Sequence, residues 1–355
     1  MAQSTVEPQA AQERLLDRPL GDERRNVSFD PAAFGMAAVS LELLQPGEES
    51  PADFFLPLFN LEKKMVEMSP ACLRGEIFKS AWRDRLLQAN QATVYVPLDQ
   101  APDVTGFFAR MASAVLGDPN SSLREKRQVV REVACLNLQT IFTADISSQA
   151  LKHSLRQTQD LVAVLGGDPQ LLKNMGDLLR SDSDLFNHCV NVCMISMAFG
   201  RFIKLPEQSL QTLGMAGMLH DMGYGQLNVK VLKKHGDLTE DEWHIVRQHP
   251  RKGYQALMQI STVSYDVLSA VLGHHENWDG SGYPTGANEG RITQMARVLR
   301  VVDAFDAMTS ERPYRPALKA FEAAQQILEG AGAKYEPRLA AAFLRFLAEH
   351  FVSGD

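Results

Sequence analysis

Two periodicities divide this chain of 355 residues. From Val27 to about Gln100 apolar residues come in short β-rich runs. Phe54-Phe55-Leu56 and Thr93-Val94-Tyr95-Val96 predict strands, and Phe78 to Leu87 predicts a helix between them. From about Val104 to Leu179 the pattern becomes helical, broken near Gly117-Asp118-Pro119-Asn120 and Gly166-Gly167-Asp168-Pro169. After Ser181-Asp182-Ser183 come amphipathic helices at about Asp184 to Ile203, Glu207 to Met222, Glu240 to Met258 and Val263 to His274. Three more follow at Thr293 to Thr309, Ala320 to Glu329 and Arg338 to Glu349. Thr239-Glu240-Asp241-Glu242 reads as a capping box that fixes one helix start. The expected fold is an all-α helical bundle in the C-terminal half, with a small α/β or mixed regulatory module before it, joined by helices. The expected boundaries are a flexible leader over 1–26, the module over 27–103, a helical linker over 104–180 and the main domain over 181–355.

Composition narrows the class without naming a function. With 45% hydrophobic and 22% charged residues the chain is an ordinary globular one, and its net charge of −7 argues against a protein that wraps a nucleic-acid polymer. The charged run Arg124, Glu125, Lys126, Arg127, Arg131 and Glu132 reads as a solvated helix face, with a binding patch as the alternative. Cys72, Cys135, Cys189 and Cys193 form no disulfide or zinc pattern. Cys189 and Cys193, one turn apart beside His188, read as small core hydrophobes, with metal ligation or redox sensing as the alternatives. No apolar run is long enough to span a bilayer, and Glu7, Glu13 and Arg14 stand where a signal peptide would be apolar. A cytoplasmic location is the expectation.

Chemistry concentrates in His274-His275-Glu276-Asn277-Trp278-Asp279-Gly280-Ser281-Gly282-Tyr283-Pro284. Adjacent imidazoles gain little from ordinary packing but can converge on metal ions where a helix ends. Gly280 and Gly282 permit positive φ, and Pro284 fixes the exit of a tight loop. Other segments offer similar groups. Asp184 and His188 share a helix face, His220-Asp221 ends an apolar helix, His249 precedes Pro250, and Asp303 sits in the apolar run Val301 to Phe305. An unpaired acid there would be costly.

Together with Ser310-Glu311-Arg312-Pro313-Tyr314-Arg315, these motifs resemble the HD-GYP branch of the HD-domain metal-dependent phosphohydrolases, over about Ser181 to Phe351. The resemblance implies hydrolysis of cyclic di-GMP to pGpG, and on to GMP, at a centre of two divalent ions, with three as an alternative and iron or manganese as the metal. It assigns ligand roles to Asp184, His188, His220, Asp221, His249, His274, His275 and Asp303, with Asp221 bridging two ions. A hydroxide bridging those ions would attack phosphorus in line with the leaving 3′ oxygen. Arg312 and Arg315 match positions that hold substrate phosphate, and Tyr283 faces the substrate or staples the loop. Trp278 is a base platform or a packed loop aromatic.

Two positions depart from the family pattern. Tyr224 stands where the family usually has a lysine expected to meet the scissile phosphate. Losing that charge would cost about 2–4 kcal/mol in the transition state, with Lys230 or Lys234 as candidate replacements. Asp184 stands where three-metal members carry glutamate. Cyclic GMP-AMP is the alternative substrate, and a signalling protein or a second copy of the chain are the candidate partners. The competing reading is a catalytically weak or inactive sensor of cyclic dinucleotides, or a protein-interaction module. A general HD-type nucleotidase is disfavoured by His274-His275 and the full loop.

Overall fold

The structure, a computed structural model, describes residues 31–60, 65–89, 91–144, 148–172, 185–227, 238–310 and 316–350. The chain divides into two compact units, Met1–Thr143 and Ala144–Asp355.

The first unit contains a four-stranded antiparallel sheet. Its strands are β1 (Met36–Ser40), β2 (Phe54–Asn60), β3 (Met65–Cys72) and β4 (Thr93–Pro97), in the order β1-β4-β2-β3. Helix α1 (Ser80–Gln88) brings Trp82 beside Phe78, which meets Phe54 edge-on with ring centroids 5.8 Å apart. Helices α2 (Ala101–Gly117) and α3 (Leu123–Thr143) complete the described part of the unit. Both strands absent from the sequence reading, β1 and β3, lie at the sheet edges. β1 is made largely of small residues, and β3 mixes Glu67, Ser69 and Pro70 with its apolar positions, so neither shows a clean alternation of bulky residues. The open side of β1 is covered by Gln139 of α3, whose side chain accepts from Ala38 N at 2.6 Å and donates to Ala38 O at 3.1 Å.

The regular structure of the second unit is helical among its described residues, apart from one isolated bridge between Ala331 and Tyr335. It begins with α4 (Gln149–Gly167), so the expected linker stretch 104–180 contributes helices to both units. Helix α5 (Leu185–Phe202) contains no acidic residue and is buried from His188 to Gly200, the mark of a central helix. Around it pack α6 (Glu207–Leu219), α10 (Gln294–Thr309) and α12 (Pro337–His350). Phe199, Phe305 and Phe343 join three of these helices, with ring centroids of Phe343 at 4.9 Å from Phe199 and 5.3 Å from Phe305. Cys189 and Cys193 are fully buried in this core, and burial pushes the Cys193 thiol up from its usual pKa. Among the described residues no helix is long and apolar enough to cross a membrane.

Two helices are shorter than their periodicity predicts. α6 stops at Leu219 and passes into a 3₁₀ turn, Met222–Gln226, rather than running to Met222. The single helix expected over Glu240 to Met258 is two, α7 (Glu240–Val246) and α8 (His249–Leu257). Pro250 has no N–H to donate and belongs in a first turn, so a new helix begins at His249. The Thr239 capping box starts α7. Helices α9 (Tyr265–Gly273) and α11 (Ala320–Glu329) complete the described set.

Candidate metal centre

Helix endings build this site. His220 and His274 follow the last residues of α6 and α9, and His249 lies three residues beyond the end of α7. The last carbonyls of a helix lack intrahelical partners. Each histidine uses one: Nδ1 of His220, His249 and His274 donates to the carbonyls of Gly217, Val246 and Val271 at 2.8, 2.8 and 2.7 Å. Those bonds place the proton on Nδ1 and leave the Nε2 lone pair facing inward. Three helix C-termini therefore converge, and their dipoles favour positive charge between them.

Asp221 lies at the middle of the convergence. Its Oδ1 is 3.2 Å from His249 Nε2 and 3.7 Å from His274 Nε2, while Oδ2 is 3.3 Å from His220 Nε2 and 3.8 Å from His188 Nε2. One carboxylate oxygen serves each of two histidine groups. Asp303, from α10, straddles them on another line: Oδ1 is 3.2 Å from His188 Nε2 and Oδ2 is 3.8 Å from His275 Nδ1. Two ligand sets result, Asp221 with His249, His274 and His275, and His188 with His220 and Asp303, each with its ligand atoms within 4.8 Å of one another. Cys189 Sγ forms a third grouping with His220 and Asp221.

Gly223 sets the spacing. A Cβ there would collide with the His249 carbonyl, so the turn after Asp221 lies directly on the start of α8. Only hydrogen fits.

The donors suit a cation. His249 and His274 Nε2 lie 3.1 Å apart, yet both Nδ1 atoms already carry the donated proton, so two lone pairs face each other. A metal ion between them turns that repulsion into ligation, and the mixed imidazole and carboxylate set suits iron, manganese or zinc. Charge differs between the sets. Burial drives His188 toward its neutral form, but Asp303 and Asp306 outweigh it and its pKa is pushed up to about 10. His220 is also raised, Asp221 overcoming burial. In the other set burial prevails: His275 falls to about 3, and His274 is held well below its usual value by burial and by His275. Burial alone would raise Asp221 and Asp303, yet the surrounding histidines hold both below the usual carboxylate range.

The glycine-rich loop follows directly. Gly280 has φ +85°, as its sequence position suggests, whereas Gly282 is needed for closeness: a Cβ there would meet the His275 carbonyl and the Glu276 Cα. Tyr283 folds back on His275, ring centroids 4.8 Å apart, and its backbone N–H donates to the His275 carbonyl. Glu276 is buried and is no ligand; its Oε1 accepts from Thr285 N and Thr285 Oγ1, both at 2.7 Å, closing the loop. Trp278 is a packed loop aromatic, with the Arg297 guanidinium 5.6 Å from its ring centre. Tyr224 stacks on His249, ring centroids 4.3 Å apart and planes 13° apart.

Asp184, Lys230, Lys234, Arg312 and Arg315 lie outside the described residues. The structure brings together His188, His220, Asp221, His249, His274, His275 and Asp303, with Tyr224 stacked on His249 and Tyr283 tilted against His275. Asp306 and Arg300 were absent from the sequence reading. Asp306 accepts from His188 Nδ1 at 2.7 Å, and a second acid three residues after Asp303 in an apolar helix was a usable signal. Arg300 forks onto Asn277 Oδ1 at 3.1 and 3.0 Å, a tertiary contact that no spacing announces.

A helical domain whose helix ends present paired histidine and aspartate sets is of the HD class. Residues 169–339 match the HD domain family. The chain is 35% identical over 193 residues to a cyclic di-GMP phosphodiesterase of Pseudomonas aeruginosa, covering 54% of this chain and 46% of the relative. It is 40% identical over 148 residues to a cyclic di-GMP phosphodiesterase response regulator of Xanthomonas campestris, covering 41% and 39%. It thus spans less than half the length of these relatives. The fold is similar to that of an HDG"Y"P protein of Bdellovibrio bacteriovorus, with a TM-score of 0.64 at 15% identity over 88% of this chain and 99% of that one. Residues 169–339 thus match an HD domain, and with His220-Asp221, His274-His275 and the complete Gly282-Tyr283-Pro284 loop in place this region is similar to the HD-GYP branch of that family.

Proposed function

We propose that the domain is a metal-dependent phosphodiesterase that hydrolyses cyclic di-GMP to pGpG and on to GMP. The observation that carries this reading is Asp221, one carboxylate oxygen turned to each histidine set, as a ligand shared by two ions requires. Two divalent ions, iron or manganese, would supply a nucleophile at neutral pH and neutralise charge on the phosphoryl oxygens. His188, His220 and Asp303 would hold one, and His249, His274 and His275 the other. Asp184 completes the proposed ligands, and Arg312 and Arg315 the proposed phosphate grip, a task suited to planar guanidinium groups. Tyr283, packed at a tilt against His275, would present its hydroxyl and ring edge to the substrate. Burial holds that hydroxyl protonated, so it serves as a hydrogen-bond donor.

Tyr224 favours a second reading. Its ring is occupied by the stack on His249, and it brings no charge to the phosphate, as expected of a slow enzyme or a cyclic dinucleotide sensor. The test is anaerobic loading with ferrous iron or manganese, then chromatography of cyclic di-GMP and of cyclic GMP-AMP beside the Asp221→Ala variant. Product from the loaded parent alone supports the enzyme. Tight binding without product supports the sensor, and the absence of both product and binding removes cyclic dinucleotides as ligands.

A further inference from the structure

His220, His249 and His274 are oriented by carbonyls at helix C-termini, but His188 is not. It lies at the fourth described residue of α5, far from the carbonyls freed at that helix's C-terminus near Phe202. A side chain from another helix replaces them: Asp306 Oδ2 accepts from His188 Nδ1 at 2.7 Å. Asp306 is fully buried, receives a longer bond of 3.4 Å from Ser310 Oγ, and its Oδ1 has no hydrogen-bond partner among the described residues. Such a carboxylate is costly to bury, and an apolar residue of similar volume would pack there more favourably. Its contact with His188 is on the nitrogen facing away from the centre, so it is not itself a ligand.

We propose that Asp306 is a positioning residue that makes the His188 set the tighter of two unequal ion sites. The inference rests on the metal-centre reading above and adds to it an order of affinity. A carbonyl fixes the tautomer of an imidazole; a carboxylate fixes it and also raises the basicity of the opposite nitrogen. Of the buried histidines held through Nδ1, only His188 has that carboxylate. Asp306 lies one turn from Asp303 on α10, so a single helix supplies both a ligand carboxylate and the carboxylate that aims the neighbouring imidazole.

The experiment titrates the metal-free full chain with manganese by calorimetry, corrects each affinity for the protons that binding releases, and follows the bound ions by electron paramagnetic resonance. The parent should bind two ions of unequal affinity. Asp306→Asn, nearly isosteric, should weaken the tighter ion about 10- to 100-fold and leave the other within about twofold. His188→Ala should weaken the same ion, and combining the two changes should add nothing to His188→Ala alone. Equal weakening of both ions, no weakening of either, or additive losses in the double variant would overturn the assignment. A parent that binds no manganese or ferrous iron would instead overturn the metal-centre reading itself. Circular dichroism checks folding of each variant; should Asp306→Asn not fold, Asp306→Glu keeps the charge but misplaces it, and an unchanged tighter ion in that variant overturns the proposal equally.

Discussion

The two histidine sets share a ligand chemistry and differ in charge before any metal arrives. Around His188 and His220, carboxylates touch the rings closely enough to overcome burial, and protons are retained. Around His274 the neighbours are largely other imidazoles and around His275 the Asp303 carboxylate is too weak a counterweight, so burial wins and protons are refused. Ligand identity alone therefore does not set the state of a site. What each ring touches on its far side, and how many carboxylates it faces, decides whether an incoming ion meets a lone pair or must displace a proton.

The largest test removes what the sets have in common. Asp221→Ala should weaken both ions, by more than the roughly 100-fold that loss of an outer-shell partner costs, and abolish hydrolysis. Metal analysis beside an activity assay reads both, and retained activity with two ions bound would end the shared-ligand account. pH separates the sets next. Because His188 titrates near 10 and His220 is also raised, an ion there must expel protons in the neutral range, and its affinity should fall by at least about tenfold per unit as pH drops from 8 to 6. With His275 near 3, no proton is displaced from that ring, so its contribution should stay flat over the same window. Calorimetry in two buffers of different ionisation enthalpy measures the released protons. In the metal-free protein the His188 shift stabilises the fold fully below about pH 6.5, and that stabilisation is lost as pH rises through 10.

Smaller changes should affect one set. Asn277→Ala removes the acceptor for Arg300 in the loop after His275, and should lower stability by about 1–2 kcal/mol in urea unfolding. Its effect on metal should fall on the His275 set alone. Tyr224→Phe keeps the ring on His249 and should change ion affinity less than twofold, while Tyr224→Ala, losing a stacked pair of about 0.5–1.5 kcal/mol, should cost that set about 2- to 10-fold. If both variants behave alike, the stack does not support His249.

Residue type and local spacing revealed much of the centre. His274-His275 at a helix end, His220-Asp221 after an apolar helix and Asp303 inside one each broke a local rule that packing alone would have kept. What spacing could not reveal is which atom faces which: the division of Asp221's two oxygens between the sets exists only once α6, α8 and α9 have docked. Asp306 was legible as an acid in an apolar run, but its partner His188 is far away in sequence. The fold was legible where periodicity ran long, as in α5 and α10, and less so at edges. β1 lacks the bulky β-branched pattern, β3 interrupts its apolar positions with Glu67, Ser69 and Pro70, and the break before His249 is written by Pro250 rather than by any loss of amphipathicity.

The manner in which the histidines are held also bears on folding. Their inward lone pairs depend on carbonyls freed at three separate helix ends, and on a carboxylate from a fourth helix. An unfolded chain has none of these in place, so its imidazoles are free to take either tautomer and present no common focus. Ion binding would then belong chiefly to the native ensemble, and the free energy of that binding would add to the stability of the assembled helices. The centre is thus a clasp: it closes only on a completed fold, and once closed it resists the separation of every helix whose end it holds.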